Sequence, residues 1–322
     1  MNPNTSYRWG VSCSFASAFL WSTTFISGRW LLKDYSIDPV SLSVIRFGIG
    51  GVLLFIFGCL FFRHKLFNIS IKDILALAWL SLWGIGGMSV FLFVGQIHTS
   101  AINTSMIIAL SPLLTMLLGM FAGKRINIFM FCGMLISLTG CLLVLGVINR
   151  TGIVYNNGNI TGDLMVFCSA TCWAVYAVFS GKTVKRLGGY TATTWGMLIG
   201  FAELLIVRAV WPWELVIPNA AQTGLWSAIL YIAIFPTAIA FFAWYEAMDR
   251  INLSLLNIMQ YLTPLFTAIL ALLFFGETMS LLNIIGAVMV MAGVMLASGI
   301  SFNGMSSFLV TGRVKMGISG AE

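Results

Sequence analysis

Charged side chains are scarce in this sequence. They make up 8% of the 322 residues, whereas hydrophobic residues make up 59%, and the mean hydropathy is +0.97. Soluble domains carry about 25% charged residues, so the composition excludes a soluble globular protein. The charge that is present is uneven, with 17 Lys and Arg against 10 Asp and Glu and a net charge of +7. A basic surface for nucleic acid is one explanation, which the positions of the basic residues test below.

Residues that carry catalytic chemistry are scarce as well. There are only two histidines, and the sequence contains no phosphate-binding glycine loop, HExxH pair or nucleophile elbow. The six cysteines all lie in apolar stretches, where cysteine usually packs as a small apolar residue; they are Cys13, Cys59, Cys132, Cys141, Cys168 and Cys172. We therefore predict that the protein is not an enzyme and that it uses no cofactor or metal.

Long apolar runs, in contrast, are abundant. A helix needs about 20 apolar residues to cross the hydrocarbon core of a bilayer. Ten segments meet this requirement, approximately 10–32, 40–62, 74–96, 101–123, 126–148, 162–182, 191–211, 223–245, 253–275 and 280–301. Little of the chain is left over, so no soluble domain fits between them. The sequence predicts an all-α integral membrane protein with ten transmembrane helices.

The basic residues are distributed asymmetrically around these segments. If the N-terminus is cytoplasmic and the helices alternate in direction, twelve of the 17 Lys and Arg residues fall on the cytoplasmic side and four on the outer side. The remaining one, Arg46, lies within the second helix. Cytoplasmic loops of membrane proteins are enriched in Lys and Arg. This pattern predicts an N-in, C-in topology and accounts for the net positive charge without a nucleic-acid partner.

A proline-centred phrase occurs twice in the apolar segments. Leu110–Thr115 reads LSPLLT and Leu262–Thr267 reads LTPLFT, so that Pro112 and Pro264 lie 152 positions apart. The same offset, or one residue more, matches residues of other helices: Gly10 with Gly162, Trp21 with Trp173, Gly133 with Gly286 and Gly140 with Gly293. A nearly constant register that preserves Trp, Pro and Gly predicts an internal duplication.

The duplication divides the chain into two halves of five predicted helices. Because five is an odd number, the second half must enter the membrane from the opposite side, which is the inverted repeat common in secondary transporters. We predict a first repeat at residues 1–149, a periplasmic connector at 150–161, a second repeat at 162–303 and a cytoplasmic tail at 304–322. Such repeats place a substrate site near the middle of the membrane.

The first and sixth predicted helices carry matching polar and aromatic stripes that do not suit contact with lipid tails. Amphipathic aromatic residues suit the wall of a cavity for a small organic ligand, although tight helix packing also favours small polar residues there. The ninth helix presents a similar polar face, and the second contains one arginine. The predicted substrate-binding residues are Trp21, Thr24, Arg46, Trp173, Tyr176, Asn257 and Tyr261.

Two further pairs of residues are unusual for the interior of a membrane. Pro112 and Pro264 each free a backbone carbonyl one turn earlier, and we predict that they are hinges beside the pathway; a harmless kink is the alternative. Arg46 and Glu203 are ionisable residues within helices, where such groups are rare and often functional. Glu203 is a candidate for proton coupling. The alternative is that these two side chains pair with each other or with interfacial groups.

Several stretches resemble a known family. FLWSTTF and TCWAVYAVFSGK are similar to the opening helices of the two EamA domains of the drug/metabolite transporter superfamily, and the stretch from WYEAMDR to AGVML resembles its C-terminal signature. Lys124 departs from the pattern, since the first copy often carries Gly-Glu there, and only the second copy keeps it, at Gly276–Glu277. The resemblance implies a ten-helix fold with a central cavity lined by helices one, three, four, six, eight and nine, with five and ten peripheral.

The resemblance and the residues together predict a secondary transporter in the inner (plasma) membrane of a bacterium, exporting amino acids, small metabolites or drugs by alternating access. Its partners are a small-molecule substrate and the lipid bilayer, with proton coupling and a homodimer left open. A membrane enzyme acting on a lipid-linked substrate is one alternative, although His64 and His98 are predicted on opposite sides of the membrane. A receptor or channel subunit and an exchanger of phosphorylated sugars are the others.

Overall fold

The chain folds as a bundle of α-helices joined by short connections. In the computed structural model the described residues are 3–121, 128–144, 148–149, 152–153, 160–210, 223–248, 250–251, 259, 262–276 and 280–297. Every structural statement below concerns these residues. Asn257 and Tyr261, two of the predicted binding residues, lie outside them, as do Lys124, Glu277 and the predicted tail.

The first half of the chain contains eight α-helices and one π-helical segment. In chain order they are α1 (Pro3–Lys33), α2 (Pro39–Phe61), α3 (Arg63–Leu66), α4 (Ile71–Ser81), the π-helical segment Leu82–Gly87, α5 (Met88–His98), α6 (Ala101–Ile108), α7 (Ser111–Phe121) and α8 (Ile128–Val144). The first residues of α2 and α4 show how local side chains begin a helix. Asp38 caps α2 by accepting a hydrogen bond from the backbone N–H of Ser41 at 2.7 Å, with Pro39 in the first turn. Ser70 and Asp73 form a capping box at the start of α4.

The second half follows the same order. It contains α9 (Ile160–Leu187), α10 (Gly189–Val210), α11 (Thr223–Ala233), the π-helical segment Ile234–Ile239, α12 (Ala240–Met248), α13 (Leu262–Phe275) and α14 (Leu281–Ala297). Between the halves, two short strands pair antiparallel at the start of the predicted connector, β1 (Ile148–Asn149) and β2 (Gly152–Ile153).

Helical residues occur in each of the ten predicted spans, and six helices are long and apolar enough to cross a membrane. These six are Pro39–Phe61, Ile71–His98, Ala101–Phe121, Ile160–Leu187, Gly189–Val210 and Gly224–Met248. Large apolar side chains are exposed on the outside of the bundle, among them Phe61 at 66%, Ile206 at 69% and Leu273 at 72%. A soluble protein rarely exposes so many large apolar groups, so the chain is a multi-pass membrane protein whose outer face meets lipid.

Reciprocal hydrogen bonds relate the two halves. The Ser17 hydroxyl on α1 donates to the Ala240 carbonyl on α12 at 2.9 Å. The Ser169 hydroxyl on α9 donates to the Met88 carbonyl on α5 at 2.6 Å. Donors 17 and 169 differ by 152, and so do acceptors 88 and 240. Each half therefore sends its first helix against the third helix of the other half, as a two-fold relation requires.

The two π-helical segments follow the same register. Leu82–Gly87 interrupts the third predicted helix and Ile234–Ile239 interrupts the eighth, and residues 82 and 234 again differ by 152. The sequences of the two halves differ here, because Gly84 stands where the second half has Pro236. The backbone conformation is nevertheless shared. A single π-turn inside an α-helix is rare and often occurs at a functional site.

The helices α8 and α14 pack against each other at the edge of the bundle. An added Cβ atom on Gly140 would lie 2.6 Å from the Gly286 carbonyl oxygen, and one on Gly293 would lie 2.5 Å from that of Gly133. These are the four glycines that the repeat matches in the fifth and tenth predicted helices. Small residues let membrane helices approach closely, which explains why both halves retain them.

Candidate functional site

A cavity of about 80 Å³ lies at the centre of the bundle. Since one water molecule needs about 10–15 Å³ by this measure, the cavity has room for a group several times larger than water. Its described walls come from α1, α2, α5, α6, α7, α9, α12 and α13 and the turn between α6 and α7; they are Trp21, Thr24, Phe25, Arg46, Met88, Leu92, Ser105, Ile108, Ala109, Pro112, Trp173, Phe241, Thr263 and Pro264. The expected helices one, three, four, six, eight and nine all contribute. Helix two also contributes, through Arg46.

Aromatic rings form one side of the cavity. The Trp21 ring lies 6.0 Å from that of Trp173 and 5.4 Å from that of Phe241, in edge-to-face arrangements. Trp173 and Phe241 are 6.2 Å apart, so the three rings contact one another. Edge-to-face packing fixes ring orientation. This side of the cavity therefore offers a preformed apolar surface to a ligand.

Arg46 is the positively charged residue among the described residues of the cavity wall. Its side chain is buried, with 2% of the residue exposed, and its Nε donates to Thr237 Oγ1 at 2.5 Å. The guanidinium carbon lies 5.0 Å from the Phe47 ring centre and 5.7 Å from that of Phe93, within the range of cation–π attraction. Within the described part of the chain, no carboxylate forms an ion pair with it and no acceptor reaches its Nη1.

Both predicted hinge prolines line this cavity. Around Pro112 the fourth predicted helix is divided into α6 and α7, with a turn between Ile108 and Ser111. Proline cannot bond the carbonyl four residues earlier, which here belongs to Ile108. The Ser111 hydroxyl donates to that carbonyl at 2.6 Å. The freed group is thus satisfied inside the protein, as hydrocarbon surroundings require.

A second, smaller cavity of about 20 Å³ lies beside the first. Phe241 lines both cavities. Tyr176, predicted for the central site, lines the second one instead, because its hydroxyl forms a hydrogen bond with that of Tyr245. Its ring still contacts Trp173, at 5.4 Å between centres. Tyr176 therefore touches the aromatic wall without reaching the central cavity.

Glu203 lies next to the second cavity. Its Oε1 accepts a hydrogen bond at 3.2 Å from the hydroxyl of Ser81, which lines that cavity. Its Oε2 is buried and has no hydrogen-bond donor within the described residues. Arg46 bonds Thr237 on the π-helical segment of the second half, and within the described residues no ion pair joins Arg46 to Glu203.

The structure places the predicted residues unevenly around the central cavity. Trp21, Thr24, Arg46 and Trp173 line it, and the Thr24 hydroxyl has no partner among the described residues. Sequence reasoning missed Met88, Leu92 and Phe241. In an apolar helix, the sequence does not distinguish an apolar residue that lines a cavity from its apolar neighbours. The 152-residue register together with Trp21 would nevertheless have indicated the eighth helix. In the described part of the chain, no three His, Cys, Asp or Glu side chains are grouped to hold a metal.

Comparison of the sequence with those of known proteins identifies its family. The model of the EamA-like transporter family matches residues 8–146 and 160–299, one match in each half. The chain is 29% identical to the uncharacterized transporter YyaM of Bacillus subtilis, over 86% of this chain and 90% of that protein. It is 24% identical to a probable terminal-alkyne amino-acid exporter of Streptantibioticus cattleyicolor, over 86% and 89% of the two chains.

Two further comparisons agree with these. The chain is 24% identical to the aromatic amino acid exporter YddG of Ancylobacter novellus, over 80% of this chain and 85% of that protein. A solved structure, titled only as the crystal structure of a protein, aligns with a TM-score of 0.66 at 21% sequence identity. It covers 89% of this chain and 96% of its own. That likeness shows that the overall fold is shared.

Proposed function

Because the chain belongs to the EamA-like transporter family, we propose that it is a secondary transporter that exports small organic molecules, amino acids among them. The central cavity with its aromatic wall carries this proposal, since it lies between two halves related by reciprocal contacts. The names of two relatives as amino-acid exporters support the substrate class. We place the protein in a bacterial inner membrane, with ten crossings and both termini in the cytoplasm.

The residues proposed for the substrate site differ in what supports them. Trp21, Thr24, Arg46 and Trp173 line the cavity, whereas Tyr176 acts through its contact with the Trp173 ring. For Asn257 and Tyr261 the proposal rests on their positions on one face of the ninth predicted helix. A ligand with an apolar body fits this set, because large aromatic surfaces dominate it.

Alternating access requires places where the helices bend. We place them at Pro112 and Pro264, which line the central cavity, and at the two π-helical segments. Gly84 and Ile85 of the first segment line the second cavity, and Thr237 of the other segment bonds Arg46 in the wall of the central one. These positions lack regular helical hydrogen bonding, so that their backbone resists rotation less than a continuous helix does. Bending at matched positions in the two halves would open the cavity to one side of the membrane and then to the other.

Glu203 is the proposed site of proton coupling. Its carboxylate lies within a predicted membrane helix, accepts from Ser81 at the edge of the second cavity, and has one oxygen without a partner among the described residues. Phe241 separates that cavity from the central one and lines both. A substrate that displaces Phe241 would change the surroundings of Ser81, and through it those of Glu203. This arrangement offers a physical route by which proton uptake and substrate binding influence each other.

Two alternatives are less well supported. An exchanger of phosphorylated sugars needs several cations for a doubly charged group, whereas Arg46 is the one basic residue among the described lining residues. An enzyme acting on lipid-linked substrates needs a group of catalytic side chains. The family assignment indicates a transporter and not such an enzyme.

Solute flux into liposomes tests the proposal. The purified full-length protein is reconstituted, and uptake of radiolabelled phenylalanine, leucine and tryptophan is measured with and without a pH gradient. Saturable uptake above that of protein-free liposomes is expected for at least one of them. Single-channel currents in a planar bilayer, without saturable uptake, would contradict it and favour a channel.

A further inference from the structure

Among the described residues that line the central cavity, one is positively charged, and it has no carboxylate partner within the described chain. Arg46 is 2% exposed and lies in a membrane-spanning helix. Isolated charges in such surroundings are costly, and they are usually paired or used in function. Three other arginines in the described chain are paired: Arg186 with Asp73, Arg208 with Asp38 at 3.7 Å, and Arg250 with Glu246 at 2.6 Å. Arg46 differs from these three, and it is also the one that lines the cavity.

The guanidinium group is held in a fixed orientation by the second half. Pro236 has no backbone N–H, so the Ile232 carbonyl lacks its usual helical partner. The Thr237 hydroxyl donates to this carbonyl at 2.7 Å and accepts from Arg46 Nε at 2.5 Å. One edge of the guanidinium is thereby fixed, while Nη1 has no acceptor among the described residues. The Phe47 and Phe93 rings hold its faces.

The remaining walls define what an occupant must look like. They are mainly aromatic and aliphatic, and no described lining residue is acidic. Among the described lining residues, Arg46 thus provides one cation for an anionic group, and none provides a carboxylate for an ammonium group. A carboxylate accepts hydrogen bonds from a guanidinium especially well. A phosphate with two charges would find only one cation among the described lining residues.

We infer that Arg46 binds the carboxylate of the transported molecule, that Thr237 positions its guanidinium, and that the site takes organic monoanions with an apolar body. The inference rests on the proposed transport function and sharpens its substrate class. An ammonium group is not required. Amino acids therefore enter as one subset, through their carboxylates, and amines without a carboxylate are excluded.

Matched ligands test the inference with the purified full-length protein. Three compounds share one ring: 3-phenylpropionate has only the carboxylate, phenylalanine has both groups, and phenethylamine has only the ammonium. Binding is measured by calorimetry, and flux in liposomes. We expect 3-phenylpropionate to bind at least as tightly as phenylalanine. Phenethylamine should bind about tenfold more weakly or worse, as the loss of a charge-assisted hydrogen bond implies.

Variants assign the effect to particular residues. Arg46→Gln should remove the preference for the carboxylate compounds, and Arg46→Lys should restore part of it. Thr237→Val should weaken their binding while Thr237→Ser restores it, because serine keeps the hydroxyl that orients Arg46. Arg186→Gln, which removes an exposed arginine outside the cavity, is the control and should bind as the wild type does. Melting curves in detergent verify that each variant is folded.

The outcomes separate the inference from the function on which it rests. Equal binding and flux of all three compounds, or an unchanged preference in folded Arg46→Gln, overturns the inference and leaves the transporter intact. Tighter binding of phenethylamine than of the two carboxylate compounds also overturns the inference and leaves the transporter intact. The wild type can also be tested with compounds in which an indole or isobutyl group replaces the phenyl ring. If it transports neither these nor the three phenyl compounds, both the proposed function and the inference are contradicted.

Discussion

At the scale of single residues, hydroxyl groups compensate for the prolines. Ser111 donates to the carbonyl that Pro112 leaves free, and Thr237 donates to the carbonyl that Pro236 leaves free. In lipid an unsatisfied carbonyl costs several kcal/mol, so each proline needs such a neighbour. Thr237 has a second task, because its oxygen also accepts from Arg46. The Thr237 hydroxyl thus bonds both the backbone carbonyl freed by Pro236 and the charged side chain of Arg46.

Trp173 should be required for transport. Trp173→Ala removes a ring that contacts Trp21, Tyr176 and Phe241 at the cavity wall. Losing a large aromatic contact of this kind should lower the apparent affinity for substrate by about tenfold. Concentration-dependent uptake into liposomes measures the effect. Phe179→Ala on the same helix is the control, since Phe179 is 53% exposed and lies outside both cavities. Equal loss in both variants would argue against a specific site.

Glu203 should couple transport to the proton gradient. Glu203→Gln keeps a group that can accept from Ser81 but cannot take up a proton. We expect uptake to become independent of an imposed pH gradient, while exchange without a gradient persists. Glu246→Gln serves as the control, because that carboxylate pairs with Arg250 away from the cavities. Unchanged gradient dependence in Glu203→Gln would exclude this residue as the coupling site.

At the scale of helices, the interruptions are as informative as the regular stretches. The third and eighth predicted helices each contain a π-helical segment, and the fourth is divided near Pro112. Two of these interruptions line a cavity, through Gly84 and Pro112, and the third holds the lining residue Arg46 through Thr237. Regular helix, in contrast, forms the α8–α14 pair at the edge. Irregular backbone in a membrane is tolerated where protein or a cavity surrounds it, and this distribution follows that rule.

The prolines should affect rate more than affinity if they are hinges. Pro112→Ala and Pro264→Ala allow the helix to continue through the bend. We expect slower maximal flux with little change in ligand affinity, because the cavity wall remains while the bending equilibrium shifts. Flux and calorimetric binding on the same preparations separate the two effects. Wild-type flux in both variants would mean that the prolines only shape the fold.

The close packing of α8 and α14 should be sensitive to small added volume. Gly140→Ala places a methyl group 2.6 Å from the Gly286 carbonyl oxygen, which forces the helices apart. Overpacking of this kind costs about 1–3 kcal/mol, and the melting temperature in detergent should fall. Gly181→Ala is the control, since nothing lies within 4 Å of its added Cβ. Equal melting temperatures for the two variants would contradict the tight contact.

At the scale of the whole molecule, the two-fold relation is the feature that the sequence predicted best. A single offset of 152 residues, read from Pro112 and Pro264, also relates the π-helical segments and the reciprocal serine bonds. The chemistry of the halves differs, however. The second-half π-helical segment contacts Arg46 through Thr237, whereas Glu203 lies near the first-half segment and accepts from Ser81 directly before it. A symmetric scaffold therefore carries charges of opposite sign near equivalent places.

Other features could not be predicted from the sequence, for physical reasons. The π-helical segments were hidden because Gly84 and Pro236 weaken regular helix by different mechanisms and look unrelated. Tyr176 and Trp173 share a helix, but only the packing reveals that the Tyr176 hydroxyl pairs with Tyr245. Phe241 is an apolar residue in an apolar helix. Its position between the two cavities depends on how the halves meet, which no local pattern encodes.

We propose that substrate crosses the membrane through the cavity between the two halves. Thr24 lines this cavity and its hydroxyl has no partner among the described residues, so Thr24→Cys can be introduced into a variant whose six native cysteines are replaced. A membrane-impermeant thiol reagent is then added to either side of reconstituted liposomes, and labelling and flux are measured together. We expect that labelling from each side stops flux and that bound 3-phenylpropionate slows the labelling. Full labelling with unchanged flux, or labelling that the ligand does not affect, would contradict it.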